Sequence, residues 1–518
     1  PAFRAAAVLK LAQADARQGD LARARERLGQ VSGADPEAVR AGALEVALLR
    51  HSGKGGEARR RLAHWQELDP TSSRLRYEAV RLGAPDPALW EHLGADPERV
   101  LDLAVESMAA GLYDDALDVL DRTYPVVGGL LTEPGAVPPQ EHPEVAYYRG
   151  YCREKTGGSG RADYEAASGM STRYVFPNRP ESSVVLRRAL EANPQDATAH
   201  FLLGSLFLSS GLAEDAIREW QAARGLNKEL PVLHRNLGRT LLQVKGDIPG
   251  ALAVFREGMA SDPWNVDLYQ GADQALSLLG RPAEERVAAL ERFPDRARLP
   301  PELLQRLALA LAEQGRAQEG EALLAGRFFP REEWGTNVRQ VFVELRLQEA
   351  QALARAGRGP EALALVEGLD REVPGLSFTK DGLAAFVETP RVQYAAGEIA
   401  AASGDEAAAR RHWAKAAEGR DSFFRGLPWA HRAARRLGPA DEADWRARLE
   451  ASLAESDRFL ERGTSFPGVV IHSQGLLQRE LGREEEARAQ FRRALLLPDQ
   501  QLSHFLSRRA LEGAPPFP

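Results

Sequence analysis

A spacing of 34 residues recurs along this chain, and it restricts the possible folds more than any other feature. Ala12, Ala24, Leu28 and Pro36 are matched 34 positions later by Val46, Ala58, Leu62 and Pro70. Further on, Gly204 is followed at +12, +16 and +19 by Ala216, Trp220 and Ala223. Gly397 is followed by Ala409, Trp413 and Ala416, and Gly475 by Ala487, Phe491 and Ala494. Gly238 opens another copy in which Ala251, Phe255 and Gly258 each arrive one position late, as a single insertion near Asp247 would produce. A fixed period of this length is the signature of stacked supersecondary units, none of which buries its apolar face alone. The 518 residues would ordinarily suggest roughly three domains, whereas a repeat array uses such a length as one elongated body.

Within one repeat the spacing describes two antiparallel helices. A small residue at the origin lets the first helix lie close to the second, and the aromatic residue or leucine at +16 fills the space between hairpins. The apolar residues of 201–207 and 303–307 follow helical rather than alternating spacing. Gly19, Gly211, Gly357, Gly404 and Gly482 are placed to end first helices in a left-handed backbone. Asp35-Pro36, Asp69-Pro70, Asn193-Pro194 and Asp262-Pro263 mark junctions, where proline suits the first turn of the next helix.

This pattern resembles the tetratricopeptide (TPR) repeat. It predicts an all-α fold, an α-solenoid or superhelix of about 11–12 TPR-like hairpins with one long proline-rich loop. The expected divisions are N-terminal repeats over 1–83, a bend and hairpin over 84–124, and a proline-rich loop over 125–146. Central repeats follow over 147–325, a loop over 326–340, further repeats over 341–420, and C-terminal repeats with a frayed tail over 421–518.

Some segments carry a narrower likeness. Glu133-Pro134-Gly135, Tyr147-Tyr148-Arg149-Gly150-Tyr151, 174–181, His234-Arg235-Asn236-Leu237-Gly238 and Arg327-Phe328-Phe329-Pro330 stand in that order. Together they resemble the repeat region of a bacterial TPR family that carries domain of unknown function 5107 upstream. That resemblance implies that a β-rich, carbohydrate-related module precedes repeats like these. Where relatives carry an acidic, glycine-rich loop, this chain reads Arg331-Glu332-Glu333-Trp334-Gly335, so a ligand site shared through that loop is expected to be altered.

Composition removes several function classes. With 67 basic against 74 acidic residues, a net charge of −7 and no long basic block, the chain has no electrostatic footprint for nucleic acid. No run of 18 apolar residues spans a bilayer. Cys152 is the sole cysteine, which excludes an intramolecular disulfide and fits a reducing, cytoplasmic setting. The ten histidines show neither His-x-His nor His-Glu-x-x-His spacing, so no metal site is expected. No phosphate-binding, dinucleotide or nucleophile-elbow motif has correct spacing, and no cofactor or catalytic residue is expected.

Binding residues are sought on the first helices, which line the concave face of a TPR array. Positions −3, −2 and +1 from the origin are Phe201, Leu202 and Ser205 for Gly204, and Arg235, Asn236 and Arg239 for Gly238, with Gln270 and Gln274 on the next repeat. Two guanidiniums one turn apart suit a carboxylate; alternatively they pair with acids of adjoining helices. Tyr147, Tyr148, Tyr151, Phe176 and Trp220 form either an aromatic ligand surface or packing between hairpins. Glu332, Glu333 and Trp334 offer two acids beside an aromatic platform, the minimum for a glycan site.

These readings predict a scaffold that binds a protein, peptide or neighbouring domain through its groove, with homo-oligomerisation open and no catalysis of its own. The alternative is the helical half of a carbohydrate-active protein whose β-rich module lies upstream or on a partner chain.

Overall fold

The computed structural model describes residues 2–31, 36–125, 137–329, 337–421, 424–439, 441–497 and 501–513. Among them every regular element is a helix, and none is long and apolar enough to cross a membrane. The chain divides into two units, Pro1–Leu233 and His234–Pro518.

The first unit is built from antiparallel pairs: α1 (Ala2–Arg17) with α2 (Leu21–Leu28), and α3 (Pro36–His51) with α4 (Gly55–Leu68). Short helices α5 (Ser73–Arg81) and α6 (Pro87–Gly94) flank the Pro85/Pro87 break. The pairs α7 (Pro97–Ala109) with α8 (Tyr113–Leu120) and α9 (Pro143–Lys155) with α10 (Arg161–Ser168) follow. A single helix, α11 (Pro180–Ala192), precedes the last pair, α12 (Ala197–Ser209) with α13 (Ala213–Leu226). The pairs pack because their small residues leave room for rings. A Cβ placed on Gly42 would lie 2.0 Å from the Trp65 indole, and one on Gly204 would lie 2.7 Å from Trp220.

The second unit continues the scheme. It contains α14 (Leu233–Thr240), α15 (Ile248–Ser261), α16 (Val266–Leu278) with α17 (Ala283–Leu290), α18 (Pro301–Glu313) with α19 (Ala317–Ala322), and α20 (Val338–Arg355) with α21 (Gly359–Glu367). A short α22 (Ala384–Val387) leads to α23 (Pro390–Ala402) with α24 (Glu406–Ala417). Then come α25 (Leu427–Leu437), α26 (Glu442–Glu461), α27 (Pro467–Glu480) with α28 (Glu484–Leu496), and α29 (Gln501–Leu511). The fold is an α-solenoid of TPR-type hairpins. Gly19, Gly211, Gly357, Gly404 and Gly482, read from the sequence as helix ends, all have positive φ, between 74° and 85°.

Two features add to the sequence reading. The one-residue lag after Gly238 is absorbed by a π-helical turn over Leu241–Lys245, closed by Gly246 in the left-handed conformation. A wider last turn takes up the extra residue before the helix ends, so Phe255 still meets Gly238 as the period requires.

The second feature is closure within the second unit. First helices α18, α20, α23, α25, α27 and α29 each pack on the next, and α29 returns to α18 while α28 returns to α16. A superhelix that completes a turn over a few repeats brings its end back to its own inner face.

Polar groups secure the closing contact. Gln274 Nε2 of α16 donates to the carbonyls of Leu495 and Leu497 at 2.7 and 3.2 Å. Arg508 of α29 donates to Ser277 Oγ at 3.1 Å and to the carboxylate of Glu313. Beneath them Asp273 lies 2.8 Å from Arg286 and 3.1 Å from Arg306. Burial alone would raise the pKa of Asp273, but Arg286, Arg306 and Arg508 overcome that effect and hold it near 2.

Candidate functional site

The closed turn of the second unit encloses a funnel lined by α20, α22, α23, α25, α27 and α29. Its floor is apolar: Val343, Val392 and Leu476 are buried, with the indole of Trp429 only 2% exposed. Phe386, Leu502 and Leu506 form the half-buried wall. Its polar groups are Gln340, Thr389, Arg391, Arg425, His472 and Ser473, and no described residue lining it is acidic. In a chain of net charge −7, both formally charged residues of this lining are arginines.

The two arginines differ in their surroundings. Arg391 lies 2.8 Å from the buried carboxylate of Glu344 and is neutralised by it. Arg425 has no carboxylate partner among the described residues. It is exposed, yet the protein around it withholds enough water to lower its pKa from the ordinary value. A guanidinium stays charged under all ordinary conditions and presents a planar fork of donors.

His472 is buried, with Nδ1 2.9 Å from Ser507 Oγ. Burial, followed by the neighbouring Arg391 and Arg479, pushes its pKa down to about 3, so it is a neutral hydrogen-bonding group at physiological pH. The cavity measures about 160 Å³, below the ~300–1,000 Å³ typical of sites for cofactors or drug-sized ligands. It has room for a side chain or a chain end.

The residues singled out from the sequence lie elsewhere and are engaged. Arg239 Nη2 and Arg235 Nη1 reach the carboxylate of Asp267 at 2.8 and 3.5 Å, and Arg235 also bonds Asn236 Oδ1. Of the two alternatives, their geometry is the ion pair with a neighbouring helix. Gln270 is 8% exposed, and the Gln274 amide holds the returning chain end, so the face they share is covered by α28 and α29.

In the first unit, Phe201 is 2% exposed and its carbonyl accepts from Trp220 Nε1 at 3.1 Å and from Ser205 Oγ at 2.9 Å. Tyr147, Tyr148 and Trp220 are buried between helices, whereas Phe176 is exposed. Cys152 is fully buried, and burial raises its thiol to about 12, which makes it inert at neutral pH. Glu332, Glu333 and Trp334 lie outside the described residues.

One signal in the sequence does lead to the funnel. Applied to Gly475, the −3, −2, +1 rule selects His472, Ser473 and Leu476, and all three line it. Arg425 precedes α25, whose repeat lacks the glycine origin, and no spacing marks it.

Neither a protein-family model nor a curated protein matches this sequence. Solved structures do. The chain is similar to YrrB, described as a TPR protein with an unusual peptide-binding site, at 18% identity over 48% of this chain and 97% of that one, with a TM-score of 0.26. It is also similar to the human IFIT1 dimer with PPP-AAAA, at 14% identity over 88% of this chain and 90% of that one, with a TM-score of 0.20. The assignment of TPR-type hairpins rests on the chain's own period and helix pairs.

Proposed function

We propose that this chain is a helical interaction scaffold that captures an extended peptide, with a free carboxylate, in the funnel of its second unit, and has no catalysis of its own. Arg425 receives the carboxylate, and an adjoining apolar side chain packs on Trp429 and Phe386. The observation that carries the reading is a guanidinium with no acidic partner among the described residues, lining a cavity in which no described residue is acidic. The small cavity selects a peptide end or an acidic side chain over a folded surface.

The test is fluorescence anisotropy with short peptides ending in an apolar residue and a free carboxylate, against their C-terminal amides. Arg425→Ala is expected to weaken binding of the free acids by about 1.5–3 kcal/mol, the range for a hydrogen bond to a charged group. The amides are expected to bind weakly to both proteins. Equal affinity for both proteins, with helicity intact by circular dichroism, would sink the reading.

A further inference from the structure

In the first unit, three helix starts converge on one small polar centre. Helices α7, α9 and α11 pack side by side, and each begins with proline followed by glutamate: Pro97-Glu98, Pro143-Glu144 and Pro180-Glu181. First helices of stacked hairpins run parallel, so their first turns line up along one rim. Glu98 comes from α7, Glu144 from α9, and His142 is the N-cap residue of α9. One ligand atom from each of these three side chains lies within 4.8 Å of the other two.

The centre is built but incomplete. Glu144 is fully buried and His142 is 4% exposed. Ser182 Oγ donates to Glu144 Oε1 at 2.8 Å and sits 2.8 Å from the Tyr148 hydroxyl, so the carboxylate is held in place from behind. Its other oxygen, Oε2, and His142 Nδ1 are buried with no hydrogen-bond partner. Two unpartnered buried acceptors in one spot are costly, and together they are the donor atoms a metal ion requires.

Charge argues the same way. Arg179 Nη1 holds Glu98 at 2.6 Å and Nη2 holds Asp102 at 2.6 Å. The three carboxylates Glu98, Asp102 and Glu144 therefore outnumber the single guanidinium by two, the charge of one divalent cation.

We infer that Glu98, His142 and Glu144 bind a divalent transition-metal ion that clips α7 to α9. An imidazole with two carboxylates and no thiolate suits zinc or manganese, and it disfavours calcium and magnesium, which take oxygen ligands. The Ser182–Tyr148 pair supplies the outer hydrogen bonds that orient a ligating carboxylate. Sequence spacing did not assemble this set, because Glu98 stands 44 and 46 positions before His142 and Glu144 and on a different hairpin. The competing account is a neutral Glu144, whose carboxyl is pushed up to about 7 by burial.

Titration of the untagged full chain with Zn²⁺ by calorimetry, after chelator treatment, decides between them. The expected result is one ion per chain and a higher Tm than in the chelated protein. His142→Gln and the half-exposed Glu98→Gln should each weaken binding at least about tenfold, the lower end of the loss when even an outer-shell partner is removed. Absence of binding, or wild-type affinity in folded Glu98→Gln and His142→Gln proteins, would overturn the site. Calcium binding as tightly as zinc would overturn the role of the imidazole.

Discussion

An added methyl at Gly397 would sit 2.4 Å from the indole of Trp413, closer than real Cβ contacts allow. The same close approach recurs at Gly475 against Phe491 and at Gly238 against Phe255, each at 2.5 Å. The glycine is therefore a space requirement for a ring sixteen or seventeen residues onward. Gly397→Ala is expected to lower stability by about 1–3 kcal/mol, the cost of overpacking. Gly225→Ala, on the exposed end of α13 with nothing within 4 Å, is expected to stabilise by up to about 1 kcal/mol, because alanine is the better helix former. Thermal unfolding of the two variants checks the contrast. These positions were legible in the sequence because the clash is local to one hairpin and repeats with it. Arg425 and His142 were not, because an unpaired charge or a ligand set depends on what other helices bring near it.

At the scale of helices, the contact that matters most is α29 against α18. Arg508 is buried there and bonds Glu313 and Ser277. Arg508→Ala removes one of the two guanidiniums on Glu313, which keeps Arg286 at 2.6 Å, and it should cost about 1.5–3 kcal/mol, the range for a hydrogen bond to a charged group. Hydrogen exchange is expected to quicken over α28 and α29, and over α16, whose Gln274 holds the Leu495 and Leu497 carbonyls. Faster exchange confined to α29 alone would show that closure is not a shared contact. The π turn at Leu241–Lys245 belongs to this scale too. An insertion was readable as a shifted register, but its form follows from the need to keep Phe255 against Gly238.

For the molecule as a whole, acid should loosen the second unit well before carboxylates protonate in bulk. His472 and His504 are buried, and burial pushes both down to about 3; for His504, Arg306 and Arg508 add to the effect while Asp273 opposes it. The unfolded chain takes up protons below about pH 6.5, and the folded chain does not until about pH 3. Stability is therefore complete above pH 6.5 and declines as pH falls toward 3. Between pH 6.5 and 5.0 each histidine accounts for about 2 kcal/mol of lost stability. Urea midpoints at pH 7.5 and 5.0 measure the slope, and His504→Gln is expected to flatten it. Asp273, held near 2, adds a further decline between about pH 4 and 2.

By itself the sequence determined the repeat: its period, its hairpins, its glycine ends and the rings that lock each pair. All of these arise from contacts within about forty residues, so they are written in spacing. Tertiary structure decided which concave surface stays open. Nothing in the period states how many repeats complete a turn, and once α28 and α29 return to α16 and α18, the face carrying Gln270 and Gln274 is covered and the funnel around Arg425 remains. Small rotations between neighbouring hairpins accumulate along a stack. Their sum, and no single residue, brings distant side chains together.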